Sequence, residues 1–188
     1  VLPKLTIGHM QPRLPIIQGG MAVRVSTGKL AAAVANAGGI GTIAGTGLTV
    51  SELIEEIRKA RSMTSGYIGV NVLFAVQQFA DLVLAAMRER VDFIVSGAGF
   101  SRDMFGWGKE HNIPIIPVVS SGRLAKLAQK MGAAAVVAEG KEAGGHLGTD
   151  RPTTEVLTEV VAAVDLPVIA AGGIMDGFDI AQMVKLGA

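Results

Sequence analysis

The sequence predicts an α/β fold of the (β/α)8 TIM-barrel type, formed by a single domain over residues 1–188. Strand-like and helix-like segments alternate seven times along the chain, as in repeated βα units with a parallel sheet. The strand-like segments are short and apolar throughout, as expected of strands that are covered on both faces. Glycine or polar residues follow strands one, three, four, six and seven, and a barrel builds its site from many such strand ends.

Seven short runs rich in Val, Ile and Ala are the predicted strands. Glycine pairs or prolines bound most of them, and these residues are typical of the turns at which strands end. The predicted strands cover residues 14–18, 40–44, 67–72, 92–96, 114–119, 134–138 and 167–171.

Helices are predicted between the strands from the spacing of apolar residues and from capping residues. Phe79, Leu82 and Val83 recur with the helical period, and Thr49 or Ser51 is suited to cap the helix that follows it. Besides that capped helix, the predicted helices cover residues 29–36, 77–90, 102–111, 121–131, 153–164 and 176–187.

Seven βα units fit either an open doubly wound sheet or a barrel that lacks its last unit. An open Rossmann sheet requires a G-x-G-x-x-G pattern after its first strand, and Gly19-Gly20-Met21 does not match it. The barrel is therefore favoured. Because the chain stops at Ala188 without an eighth strand, we expect a fragment of a longer protein or a partner segment that completes the barrel.

Composition excludes several classes of function. The net charge of +1 gives no electrostatic reason to expect nucleic acid or an anionic membrane as partner. The absence of cysteine excludes disulfides, thiolate metal sites and a cysteine nucleophile, and it favours a reducing, cytoplasmic location. No metal site is predicted. A small-molecule substrate is expected, and formation of a homo-oligomer stays open.

A ten-residue stretch, 139–148, holds four glycines, two carboxylates and one histidine directly after the sixth predicted strand. Gly144 and Gly145 remove side chains where a flat ligand or a phosphate could touch the backbone. His146 supplies a group that titrates near neutral pH. The alternative is a flexible surface loop with an incidental histidine, but its position at a strand end favours a functional loop.

A second glycine pair, Gly172-Gly173, follows the seventh predicted strand and precedes a helix. Glycine amides at a helix N-terminus favour an anion, and barrels often bind phosphate at this position. The alternative is a turn that needs glycine for its geometry alone. A phosphate site together with a glycine-lined platform near a histidine indicates a flat phosphorylated cofactor, and FMN fits this description.

Five stretches along the chain together resemble the nitronate monooxygenase family, formerly called 2-nitropropane dioxygenases, which includes the FMN-dependent enoyl-acyl-carrier-protein reductases. The stretches are residues 15–22, 69–71, 97–99, 139–148 and 170–174, and the E-A-G-G-H-x-G string within them is the most specific. The resemblance covers nearly the whole chain. It implies an FMN-binding (β/α)8 barrel with an inserted smaller domain, and this sequence contains neither that domain nor the eighth strand.

The resemblance also implies the residues that bind FMN. Asn71 would form a hydrogen bond with the cofactor; the alternative is that it serves only in a turn or as a cap. Glu139 would be a polar contact to the cofactor; the alternative is that it is a solvated carboxylate at the end of a strand. The glycines would contact FMN through their backbone atoms, and the pair after the seventh predicted strand would bind its phosphate. The implied cofactor-binding residues are Gly20, Met21, Ala22, Asn71, Glu139, Gly144, Gly145, Gly172 and Gly173.

His146 would face the substrate side of the flavin as a base or hydrogen-bond donor, and it is the implied catalytic residue. Two chemistries fit: oxidation of an alkyl nitronate with O2, which is favoured, and reduction of an enoyl thioester by FMN that NADH or NADPH has reduced. IMP dehydrogenase shares a glycine phosphate loop but needs a catalytic cysteine, which this chain lacks. A flavin-binding fragment without turnover is the remaining alternative.

Overall fold

The computed structural model describes residues 2–145 and 148–188. Strands and helices alternate along this part of the chain, as predicted. The strands are β1 (Gly41–Ala44), β2 (Ile68–Leu73), β3 (Phe93–Gly97), β4 (Ile115–Val119), β5 (Val136–Glu139) and β6 (Val168–Ala171). The helices are α1 (Gly28–Asn36), α2 (Val50–Met63), α3 (Phe79–Arg88), α4 (Arg102–His111), α5 (Gly122–Met131), α6 (Thr153–Val161) and α7 (Gly177–Lys185).

The chain forms two compact units, residues 1–115 and 116–188. In the first unit β1 pairs with β2 and β2 with β3, both in parallel, with Val70 opposite Ile43 on one side and Ile94 on the other. In the second unit β4 pairs with β5 and β5 with β6, again in parallel, with Val137 opposite Val118 and Ile169. The predicted parallel βα arrangement is therefore confirmed within each unit.

A glycine makes room for the largest core side chain of the first unit. A Cβ atom on Gly69 would lie only 2.3 Å from the Phe93 ring, and Phe93 is fully buried. The ring thus occupies the space that a side chain on the neighbouring strand would need. In the second unit, α6 packs on β5, and apolar residues of both elements are completely buried. Among them are Val136, Val156 and Leu157.

Side-chain caps fix the residues at which two of the helices begin. Thr49 accepts the Glu52 N–H at 3.3 Å while the Glu52 carboxylate accepts the Thr49 N–H at 2.8 Å, which forms a capping box at the start of α2. Asp176 and Asp179 form the same reciprocal arrangement at the start of α7. Of the two predicted caps for α2, Thr49 is therefore the one used.

The first predicted strand, residues 14–18, is wrong as a strand, since it makes one parallel bridge, from Ile17 to Ile40. Hydrogen bonds from Gln18 N to Ile40 O (3.0 Å) and from Ile40 N to Ile16 O (2.9 Å) hold it. The pairing stops there because the next backbone acceptor on β1, Thr42 O, is used by a side chain. Gln18 Nε2 donates to it at 2.9 Å. Pro15, which has no N–H, precedes it.

Within the described residues, no helix combines the length and the apolar character needed to cross a membrane.

Candidate functional site

In the first unit, Asn71 lies within β2, two residues before the last strand residue, Leu73, and its side chain packs against the backbone of Gly20. Its Nδ2 donates to the Gly20 carbonyl oxygen at 3.0 Å. A Cβ atom on Gly20 would lie 2.4 Å from the Asn71 Cβ, so only glycine permits this contact. The other amide atom, Oδ1, is buried and has no hydrogen-bond partner among the residues that the structure describes. Asn71 is thus an oriented amide with one free acceptor.

Gly97, the last residue of β3, lies near the Oδ1 atom of Asn71. A Cβ atom on Gly97 would be 3.7 Å from Asn71 Oδ1, which places backbone without a side chain next to the free acceptor. Buried polar atoms without partners are rare in native proteins, and a missing ligand is one explanation for them. The surroundings of Asn71 Oδ1 therefore fit the approach of a ligand that donates a hydrogen bond.

Ser26 fixes the loop that carries Gly20, Met21 and Ala22. Its hydroxyl donates to the Gly19 carbonyl oxygen at 2.9 Å and accepts the Met21 N–H at 2.9 Å, and its own N–H donates to Met21 O at 3.0 Å. Ser26 is only 2% exposed, whereas Met21 is 46% exposed. The sequence did not indicate Ser26 as a site residue, and the structure shows that it holds this loop.

In the second unit, Glu139 ends β5 as a half-buried carboxylate with no hydrogen bond to the described residues. Burial raises the pKa of the Glu139 carboxyl group above its ordinary value. Further along the loop, added Cβ atoms on Gly144 and Gly145 would meet no atom of the described residues within 4 Å, so no described side chain covers these glycines. His146, the predicted catalytic residue, lies outside the described residues.

The turn after β6 consists of Gly172 and Gly173, both with positive φ (112° and 71°). Among the described residues, no acceptor receives a hydrogen bond from the N–H groups of Gly172, Gly173 or Ile174. Adjacent N–H groups in a glycine turn form a concave anion site of the kind that binds phosphate. The structure therefore provides free donors at the predicted phosphate position.

The N-terminus of α7 is not the source of those donors. Asp176 Oδ1 accepts from the Phe178 and Asp179 N–H groups at 2.8 and 3.1 Å. Asp179 Oδ2 accepts from the Met175 N–H group at 2.8 Å. Because two carboxylates already fill the positive end of α7, an anion at this position is restricted to the glycine turn itself.

Glu142 takes the corresponding place at the N-terminus of α6. Its Oε2 atom accepts from the Thr153 N–H and lies at hydrogen-bond distance from the Thr153 hydroxyl, both at 2.8 Å. The bond from the Thr153 side chain, followed by the bond from its N–H, lowers the pKa of the Glu142 carboxyl group. Glu142 is exposed but held, so the loop that follows β5 is anchored to the start of α6.

Comparison with known proteins gives a consistent match. A family model described as nitronate monooxygenase matches residues 4–92 and 76–188. A (3aS,4S,5R,7aS)-5-hydroxy-7a-methyl-1-oxo-octahydro-1H-indene-4-carboxyl-CoA dehydrogenase from Rhodococcus jostii is 34% identical over 93% of this chain. The chain spans about half (49%) of the length of that relative.

Two solved structures extend the match to the backbone. FabK from Thermotoga maritima is 40% identical with a TM-score of 0.90, over 94% of this chain and 56% of that one. Nitroalkane oxidase from Streptomyces ansochromogenes is 29% identical with a TM-score of 0.86, over 94% of this chain and 63% of that one. These matches confirm the predicted fold class, a (β/α)8 TIM barrel that is incomplete in this chain.

Proposed function

We propose that this chain, which belongs to the nitronate monooxygenase family, binds FMN as part of an oxidoreductase. The observation that carries the proposal is the turn at Gly172 and Gly173, where adjacent N–H groups have no acceptor among the described residues. FMN carries a single terminal phosphate, and one anion site of this kind is what it requires. A side chain at either glycine would be strained by the positive φ.

Asn71 supports the same proposal from within the first unit. FMN carries ribityl hydroxyls and a ring N–H, and the free, buried Oδ1 of Asn71 is an acceptor for such donors. Glycine at positions 20 and 97 keeps a side chain at either position from crowding this amide. We accordingly propose Asn71 and the loop of Gly20, Met21 and Ala22 as FMN contacts, with Ser26 holding that loop.

Within the second unit we propose Glu139, Gly144 and Gly145 as further cofactor contacts, and Gly172 and Gly173 at the phosphate. Because no described side chain covers the glycines at 144 and 145, they support a close approach of backbone to a flat ring. When bound, FMN supplies the redox chemistry by accepting and returning electrons. The protein's residues position it, and His146 is proposed to hold or remove a proton on the substrate.

The reaction that we propose is oxidation of an alkyl nitronate with O2. Membership of the nitronate monooxygenase family and the similarity to nitroalkane oxidase support it. The substrate is an anion with a delocalised charge, so a neighbouring histidine that donates a hydrogen bond would stabilise it in place. A neutral nitroalkane would first need to lose a proton to a base.

A second candidate is reduction of an enoyl thioester, with NADH or NADPH as electron donor. It is favoured by the 40% identity to FabK, an enoyl-acyl-carrier-protein reductase, since the identity to nitroalkane oxidase is 29%. The name of the Rhodococcus jostii relative, a carboxyl-CoA dehydrogenase, supports a thioester as substrate class. Both candidates use the same cofactor, so they differ in what reduces the flavin and what reoxidises it.

One experiment separates the candidates. Purified protein should be yellow and should release FMN rather than FAD on denaturation. Under anaerobic conditions, an alkyl nitronate, NADH and NADPH are mixed with it in parallel while the flavin absorbance is followed. Bleaching by the nitronate supports the monooxygenase, whereas bleaching by a nicotinamide and recovery with an enoyl thioester supports the reductase. Protein that holds FMN but is bleached by none of them is a flavin-binding fragment, and protein that cannot bind FMN refutes the proposal.

A further inference from the structure

Thr153 is the first residue of α6, and its side chain lies between two loops of the second unit. It is only 3% exposed, which is unusual for a threonine at the start of a helix. Its hydroxyl oxygen lies 2.8 Å from Glu142 Oε2 in the loop after β5. The same oxygen lies 3.3 and 3.2 Å from the carbonyl oxygens of Ala171 and Gly172 after β6.

Two glycines make room for Thr153. A Cβ atom on Gly140 would lie 2.3 Å from the Thr153 Cα atom, and one on Gly172 would lie 2.6 Å from the Thr153 hydroxyl oxygen. Gly173 packs as closely on Glu142, since a Cβ atom added to Gly173 would lie 3.0 Å from the Glu142 Cβ. The loop after β5 and the turn after β6 therefore pack directly on one buried side chain.

The hydroxyl has one proton and three acceptors within reach. Glu142 Oε2 is the nearest, and it also accepts the Thr153 N–H at 2.8 Å, so the charged carboxylate takes the proton. When Glu142 no longer accepts it, the proton is free to turn to the Gly172 carbonyl oxygen. The two loops thus compete for the same donor, and a change in one is transmitted to the other.

We propose that Thr153 is a positioning residue that couples the loop of residues 140–145 to the phosphate-binding turn at Gly172 and Gly173. The functional consequence rests on the FMN proposal above, because the turn matters to a cofactor only if it receives the phosphate. The coupling itself does not depend on FMN. It is a property of the hydrogen bonds and close contacts around one buried hydroxyl.

Hydrogen–deuterium exchange on the protein without flavin tests the coupling. Thr153→Val keeps the backbone N–H but replaces the hydroxyl with a methyl group, which removes a donor from Glu142 and places carbon only 3.2–3.3 Å from the Ala171 and Gly172 carbonyl oxygens. Exchange should therefore rise in peptides covering both 140–145 and 166–174. Thr153→Ser should restore wild-type exchange. The matched control is Thr158→Val on the same helix, whose exposed hydroxyl donates to Thr154 O and reaches neither loop. A rise in only one of the two loops, or in neither, would overturn the coupling.

Glu142→Ala is a second variant, at an exposed position where loss of the side chain leaves the core intact. Exchange should rise in residues 140–143, which lose their anchor. It should fall in residues 166–174, because the hydroxyl then donates to the Gly172 carbonyl oxygen. Unchanged exchange in 166–174 would contradict the competition for the proton, even if Thr153→Val fails to fold.

Binding of FMN and of riboflavin tests the consequence, because riboflavin lacks the phosphate. Wild type should prefer FMN, and Thr153→Val should lose about tenfold of that preference while Thr153→Ser and Thr158→Val retain it. An unchanged preference in Thr153→Val would overturn the positioning role while the FMN proposal stands. Wild type that binds no FMN would refute the proposed function, and the exchange experiment alone would then decide the coupling.

Discussion

Asn71 and Gly20 are 51 residues apart in sequence, yet the Asn71 side-chain amide donates to the Gly20 carbonyl oxygen at 3.0 Å. The contact orients the amide so that Nδ2 is used and Oδ1 remains a free acceptor. It exists only because position 20 has no side chain. A loop glycine and an asparagine within β2 therefore act as one unit.

We expect Gly20→Ala to weaken FMN binding by roughly ten- to hundredfold, because a Cβ atom 2.4 Å from the Asn71 Cβ must displace the loop or the amide. Titration of the protein with FMN, followed by quenching of flavin fluorescence, measures the effect. Gly19→Ala is the matched control, since its Cβ would meet no atom within 4 Å. Equal affinity in both variants would remove Asn71 from the cofactor site.

The alternation of strands and helices was predictable because it depends on local patterns. Short apolar runs and helical periodicity are repeated in each βα unit, and Thr49 and Asp176 are capping residues whose partners lie three residues away or less. The predicted first strand failed for a tertiary reason, since the Gln18 side chain replaces the backbone at Thr42 O. No pattern in residues 14–18 predicts that a side chain replaces the backbone there.

The candidate site was predictable in its glycines and not in the residues that hold them. The Ser26 hydroxyl donates to a carbonyl oxygen seven residues earlier in the chain, and the Thr153 hydroxyl lies against carbonyl oxygens 18 and 19 residues further along. Such partners depend on how the elements pack. In the sequence, Ser26 and Thr153 are recognisable only as a serine and a threonine near glycine-rich loops.

Glu52 provides a test of the capping box that is independent of the cofactor. The bond from the Thr49 N–H, followed by the bond from Arg24, lowers the pKa of the Glu52 carboxyl group from 4.5 to about 2. A carboxyl whose pKa is lower in the folded than in the unfolded protein stabilises the fold above 4.5, and this contribution is lost as the pH falls toward 2.

We therefore expect Glu52→Gln to lower the free energy of unfolding at pH 7, with a difference from wild type that shrinks as the pH approaches 2. Urea denaturation followed by circular dichroism between these pH values measures it. Glu55→Gln on the same helix surface is the control, because the Glu55 carboxylate accepts no hydrogen bond from the described residues. A difference from wild type that is independent of pH would contradict the role of the Glu52 charge.

For His146→Ala we expect FMN to stay bound, because the proposed contacts to the cofactor are mainly backbone groups, together with the side chains of Asn71 and Glu139. Turnover should fall by roughly 10²–10⁴-fold if His146 acts as an acid or base. The loss should be larger for a neutral nitroalkane, which must lose a proton, than for a preformed nitronate. Stopped-flow absorbance of the flavin follows each half-reaction, with His111→Ala as control. Wild-type rates in both half-reactions with every substrate would make His146 structural.

The glycine turn after β6 gives the sharpest test of the phosphate site, because charge can be separated from strain. Gly173→Ala and Gly173→Asp both place a Cβ at φ 71°, 3.0 Å from the Glu142 Cβ, so they share the backbone penalty. Only Gly173→Asp adds a negative charge beside the free N–H groups. We expect it to bind FMN roughly tenfold or more weakly than Gly173→Ala does, by repulsion of the phosphate.

Riboflavin completes that comparison, since it lacks the phosphate and should bind the two Gly173 variants equally. Both affinities are obtained from flavin fluorescence, and circular dichroism checks that each variant keeps its helices. The repulsion should weaken as salt is added, because this exposed turn is open to screening by ions. If Gly173→Asp and Gly173→Ala bind FMN equally well at low salt, the phosphate lies elsewhere and the free N–H groups of this turn serve another purpose.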